Sequence, residues 1–174
     1  MKDKIEISMP DIELKEKTLK VRKAAMKICN TSNDQRRDAL NKMADSLVHY
    51  SEEILEANDR DFSVAKKKGI SPALLSRLKL SKDKLLHGID GVRKVRDLPD
   101  PDGQVQINKK LASGLILQRK TVPIGVIGVI FESRPDAFIQ ISSLALRSGN
   151  AAILKGGSEA SQTNKAIFLS LIHI

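Results

Sequence analysis

Tryptophan is absent from this chain of 174 residues, tyrosine occurs once and phenylalanine four times. Single-stranded nucleic acids are held largely on aromatic faces where bases stack, so this scarcity argues against a stacking RNA binder. Cysteine is nearly absent as well. Cys29 stands alone, which excludes an internal disulfide, and with His49, His87 and His173 as the only histidines the chain lacks the usual tetrahedral zinc set. A reducing, cytoplasmic setting and no metal are therefore expected. No apolar stretch approaches the roughly 18 residues of a membrane span, and the opening MKDKIEISMPDIELKEK is charged where a signal peptide needs an apolar run. The chain reads as soluble and untargeted, without a membrane partner.

Apolar residues make up 41% of the chain, enough for a core, and 30 Lys and Arg against 21 Asp and Glu leave a net charge of +9. Such a balance permits anionic partners without naming one. On charge alone a basic helical nucleic-acid-binding or scaffold module stays open as an alternative, although the last third of the chain is apolar and far less charged.

Periodicity divides the chain. Leu14, Leu19, Val21, Ala25 and Ile28 recur at roughly helical spacing, which predicts an amphipathic helix over 12–28. Asn33 or Asp34 is expected to cap a second helix, whose stripe Leu40, Met43, Ala44, Leu47, Val48, Ile54 and Leu55 runs to about Ala57 or beyond. Gly69 stops the basic segment that follows. Ser71-Pro72 and Ser81 read as further helix starts, and Pro99 to Gly103 as a loop. After Gly114 the pattern turns β-rich, with an exposed strand interrupted by Pro123 and a buried one from Gly125 to Phe131. Pro135 opens a helix to Leu146, Ala151 to Leu154 is a strand, and a last helix starts near Ser161. The fold class is α/β: amino-terminal helices over 1–110, an exposed strand or arm over 111–124, and a βαβα unit over 125–174 with a parallel sheet buried on both faces. Residues 166–174 are apolar almost all round, so an incomplete domain is expected, with burial in an oligomer as the alternative.

The turn Lys155-Gly156-Gly157-Ser158 follows a strand and precedes a helix, the place where open α/β sheets hold anionic ligands. A fixed ammonium there can meet a ribose hydroxyl or a phosphate, and two glycines allow close backbone approach. A solvated lysine in an ordinary glycine turn is the competing reading. Neither G-x-G-x-x-G nor a Walker A motif is present, since Gly125 and Gly128 lie in a strand and no Ser or Thr follows Lys155. Arg134, just before Pro135, offers a bidentate fork to phosphate or carboxylate, with an ion pair to Glu132 as the alternative. Asp136 suits the helix dipole better than base chemistry. Cys29 sits in a basic helix far upstream of these motifs and reads as an ordinary thiol.

The segment TVPIGVIGVIFESRPDAFIQISSLALRSGNAAILKGGSEAS, with weaker likeness in NDQRRDALNKMADSL, ILEANDRDF and LLSRLKLSKDKL, resembles the gamma-glutamyl phosphate reductases of the aldehyde dehydrogenase superfamily. The resemblance implies part of a Rossmann-like cofactor domain and NADPH-dependent reduction of L-glutamyl 5-phosphate to L-glutamate 5-semialdehyde in proline biosynthesis. It implies a catalytic cysteine in a later domain that this chain does not reach, an oligomerisation arm at 111–124, a homo-oligomer, and coupling to glutamate 5-kinase. Lys155, Gly156, Gly157 and Ser158 are the implied cofactor residues. Ser158 stands where NAD-preferring relatives carry a ribose-binding Glu, which favours NADPH, with Glu159 next door as the complication. Ser133 stands at the position of the superfamily's oxyanion-stabilising Asn, where neighbouring backbone N–H groups also serve, and Arg134 becomes a candidate substrate contact.

Overall fold

The structure is a computed structural model that describes residues 9–172 and 174, with side chains described from Leu14 onward. The expectations for the first eight residues and for His173 lie outside the described residues. Among those described, no helix is long and apolar enough to cross a membrane.

Helix α1 (Met9–Ile28) leads through a short turn to α2 (Asn33–His49). Ser32, not Asn33 or Asp34, is the cap: its hydroxyl accepts the Gln35 N–H while the Gln35 side chain accepts the Ser32 N–H at 2.8 Å, a reciprocal capping box worth about 1 kcal/mol. The single second helix expected from the apolar stripe is two helices. It breaks at Tyr50 and resumes as α3 (Ser51–Lys67), because Ser51-Glu52-Glu53 suits a fresh N-terminus. The stripe looks continuous because Leu40 and Leu47 from α2 and Ile54 from α3 enter the same core. Val48, expected inside, is exposed, as are Leu14 and Leu19 of α1. Then come α4 (Pro72–Leu78), capped by Ser71 with Pro72 in its first turn, and α5 (Lys82–Asp97), capped by Ser81.

The expected arm is a hairpin that starts earlier than the sequence suggests. Strands β1 (Val105–Ala112) and β2 (Leu115–Lys120) pair antiparallel, so 105–110 is strand and not part of the helical region. Gly114, read as the start of the β-rich segment, is the turn between them, at the positive φ of 74° that glycine tolerates. Every residue of both strands is exposed.

Strand β3 (Val126–Ile130), α6 (Pro135–Arg147), β4 (Ala151–Lys155), a 3₁₀ turn (Ser158–Ala160) and α7 (Ser161–Leu171) complete the chain. The order is βαβα and β3 and β4 are parallel. The sheet is not buried on both faces: with only two strands, α1 and α6 cover β4 while alternate residues of β3 stay open, Ile130 at 83% exposure. Leu40, Leu47, Ile89, Ile139 and Ile167 are fully buried, so α2, α5, α6 and α7 close on one core. Truncating any one of these side chains to Ala costs about 2–5 kcal/mol. A smaller cluster, Ala65, Leu78 and Ala160, pins α4 and the 3₁₀ turn to α3, with Ile70 and Leu75 packed against it.

Candidate functional site

The parallel register runs from Val126 opposite Ala151 to Ile130 opposite Lys155, so both strands end at one level. The Phe131 N–H donates to the Lys155 carbonyl at 3.0 Å and carries the ladder one residue further. The segments leaving the two strands, 131–133 and 156–159, therefore run side by side. With Ile70 and Leu74 from the α4 side they enclose a cleft of about 400 Å³, at the carboxyl ends of parallel strands where α/β sheets hold ligands.

Ser133, Lys155, Gly156, Gly157 and Ser158 all line this cleft. Lys155 is exposed and its ammonium donates to the Gly156 carbonyl at 3.0 Å. A Cβ at Gly156 would run into the Asn164 amide and press on the Phe131 ring, so a side chain there would have to displace Asn164. Ser158 is exposed.

Glu159 is the residue the sequence reading placed least well. Its carboxylate turns across the cleft, where oxygen Oε1 accepts the Ser133 N–H at 2.8 Å and the Ser133 hydroxyl at 2.7 Å. The Ser133 hydroxyl, ahead of the backbone N–H groups of Glu159 and Ser133 and the Lys155 ammonium, holds the Glu159 carboxyl below its ordinary value against a smaller opposing effect of burial. Both donors of Ser133 are thus engaged. No sequence spacing links 133 to 159; the parallel register does.

Arg134 does not join the cleft. Its guanidinium pairs with Asp136 at 3.1 Å, not with Glu132, and lines a neighbouring cleft of about 570 Å³ with Arg77, Lys84 and His87. Cys29 is also elsewhere: its thiol donates to the Met26 carbonyl at 3.3 Å and lines a groove against Pro123 and Gly125. Though distant in sequence from the sheet motifs, it lies beside the edge of β3.

The anion site expected at the start of the helix after Lys155 is filled from within the protein. Asp61 of α3, only 4% exposed, accepts the Gln162 N–H at 3.3 Å, the Thr163 N–H at 2.8 Å and the Thr163 hydroxyl at 2.7 Å. The first free N–H groups of α7 are thereby satisfied by a carboxylate, leaving the turn before it, and not the helix N-terminus, to face the cleft. Asn58, one turn earlier on α3, donates to the Leu78 carbonyl and accepts the Leu80 N–H, tying α4 to the same support.

A gamma-glutamyl phosphate reductase of Prochlorococcus marinus (strain MIT 9215) is 64% identical over 166 residues, which is 95% of this chain and 38% of that protein. This chain is homologous to part of gamma-glutamyl phosphate reductase. The crystal structure of the Thermotoga maritima reductase superposes with a TM-score of 0.88 at 39% identity, covering 91% of this chain and 38% of that one. A Bacillus subtilis chain described as an aldehyde dehydrogenase shares the fold at a TM-score of 0.65 and 15% identity, over 88% of this chain and 31% of its own. No protein-family model matches the chain. The chain spans a little over a third of the length of the reductases it matches, 38% of the P. marinus protein.

Proposed function

We propose that the cleft between β3 and β4 is the dinucleotide-binding side of an NADPH-dependent reductase that converts L-glutamyl 5-phosphate to L-glutamate 5-semialdehyde and phosphate. The observation that carries this reading is the convergence of Lys155, Gly156, Gly157 and Ser158 on one cleft at the strand ends. Their donors suit a ribose and its phosphate: an exposed ammonium and an exposed hydroxyl. NADPH, when bound, supplies the hydride. Lys155 binds, Ser158 brings no carboxylate of its own against a 2′-phosphate, and the bare Gly156 and Gly157 accommodate the Asn164 amide and the Glu159 carboxylate beside the turn.

Ser133 stands at the oxyanion position. Because its N–H and hydroxyl both go to Glu159, it serves by shaping the loop, and neighbouring backbone N–H groups are the donors for developing negative charge. Arg134, which lines the neighbouring cleft, is the contact for the substrate's anionic end. The nucleophilic thiolate belongs to a part of the reductase this chain does not share, since Cys29 lies outside both clefts. The cytoplasm is the setting, and the hairpin is the element that joins copies of the chain; coupling to glutamate 5-kinase follows from the same reading.

Purified 174-residue chain is expected to bind NADPH, followed by nicotinamide fluorescence, and to show no phosphate-dependent oxidation of glutamate semialdehyde. Such oxidation, abolished by Cys29→Ser, would overturn the assignment of the thiolate; absence of NADPH binding would overturn the cleft.

A further inference from the structure

Ser133 is 2% exposed and has a φ of 42°, the one positive φ outside glycine among the described residues. A serine in that left-handed region costs on the order of 1 kcal/mol and persists only where its surroundings hold it. What holds it is Glu159, whose single oxygen takes both the Ser133 N–H and its hydroxyl. Charge-assisted bonds of this kind are stronger than neutral ones, so two of them outweigh the backbone cost.

Gly157 supplies the room. Its φ of −67° and ψ of 152° are open to any residue, so its conformation does not call for glycine. A Cβ there would fall on the Glu159 carboxylate, and that flexible side chain would have to leave. The bare position at 157 and the reach of Glu159 across the cleft are one arrangement. Lys155 and Glu132 are the other charged side chains facing it.

We propose that Glu159 is a positioning residue: it latches the loop after β3 to the turn after β4, fixes Ser133 in its left-handed conformation, and so holds the two walls of the cleft at one spacing before a ligand enters. A preformed wall removes the ordering cost from binding. This role in ligand binding rests on the cofactor reading of the cleft, whereas the latch itself belongs to the chain alone.

The test uses the full chain and four proteins: unaltered, Glu159→Gln, Glu159→Ala and Gly157→Ala. By NMR without ligand, the Ser133 amide is expected to shift with pH in the unaltered chain by clearly more than in Glu159→Gln, where the bonded carboxylate is gone and Glu132 remains. Amide exchange at Ser133 is expected to rise by about tenfold or more in Glu159→Ala and in Gly157→Ala, while Glu159→Gln, which keeps an acceptor oxygen, retains most of the protection. Gly157→Ala removes no polar group, so its agreement with Glu159→Ala separates loss of the latch from loss of a charge. NADPH affinity is expected to fall about tenfold in both alanine variants and to be largely rescued in Glu159→Gln. Unchanged Ser133 exchange in both alanine variants overturns the latch. Loosened exchange with unchanged NADPH affinity overturns the positioning role, and no NADPH binding by the unaltered chain overturns the cofactor reading and that role together while the amide data still decide the latch.

Discussion

Thr163 gives both its backbone N–H and its hydroxyl to one oxygen of Asp61, at 2.8 and 2.7 Å, across 102 positions of sequence. A residue on α3 thus caps α7 and supports the turn that carries Ser158 and Glu159. Asp61→Ala strands those donors in a buried place and is expected to lower stability by about 2–3 kcal/mol. Asp61→Asn keeps one acceptor and should lose about half as much. Urea denaturation checks both, and a loss under about 0.5 kcal/mol in Asp61→Ala would mean that water replaces the carboxylate.

Arg36 is 2% exposed and pairs with both oxygens of Asp100 at 2.8 Å, while Asp100 also accepts the Asp102 N–H at the foot of the hairpin. Asp100→Ala leaves a buried guanidinium without its anion. The expected cost is about 3 kcal/mol, with faster amide exchange at Gly103 and Thr121, whose N–H groups donate to the Thr121 and Gln104 carbonyls and close the hairpin base. Loss of stability without that faster exchange would show that the pair does not anchor the hairpin.

The helix starts at Ser71-Pro72, Ser81 and Pro135 are legible in the sequence because a cap is a local matter between neighbours. The break at Tyr50 is not, since two helices facing one core carry one uninterrupted stripe. The hairpin is half legible. Leu115 onward reads as strand, but Lys109 and Lys110 disguise β1, and only its pairing with β2 makes it a strand. At the site, the Lys155 turn is visible from its glycines, whereas Glu159 and Asp61 gain their meaning from the register of β3 with β4 and from the packing of α3 on α7.

The Glu159 carboxyl is held below its ordinary value, so its contribution to stability is fully present above the unfolded value and is lost as pH falls through the lowered folded one. Unaltered chain and Glu159→Gln are expected to differ by a constant amount from about pH 7 to about pH 5, with the gap closing below about pH 4. Urea midpoints across that range measure it. A gap independent of pH would assign the difference to packing and not to charge.

Both faces of the hairpin are bare, with Leu115 and Ile116 at 55% and 63% exposure. A lone two-stranded ribbon is marginal in water, and open strand edges favour pairing with another chain. The chain is expected to self-associate through it, and Ile116→Lys to weaken that association by about tenfold or more. Sedimentation velocity over a range of concentrations tests this, and a monomer at every concentration for the unaltered chain would sink it.

Ser158 is exposed at the cleft and uncharged, while the carboxylate next to it, Glu159, is committed to Ser133. Position 158 of the turn therefore adds no carboxylate beside the Lys155 ammonium, which favours a 2′-phosphate relative to a Glu at that position. NADPH is expected to bind more tightly than NADH. Lys155→Ala is expected to weaken both cofactors, as the proposed contact of the ammonium is with groups that the two share. Ser158→Glu should weaken NADPH selectively and move the ratio of the two dissociation constants towards NADH, by on the order of 1–3 kcal/mol where the charges are partly desolvated. Titrations at one fixed ionic strength give the ratio, since salt screens exposed charges. An unchanged ratio in Ser158→Glu together with unchanged affinity in Lys155→Ala would mean that the turn only connects β4 to α7 and binds no cofactor.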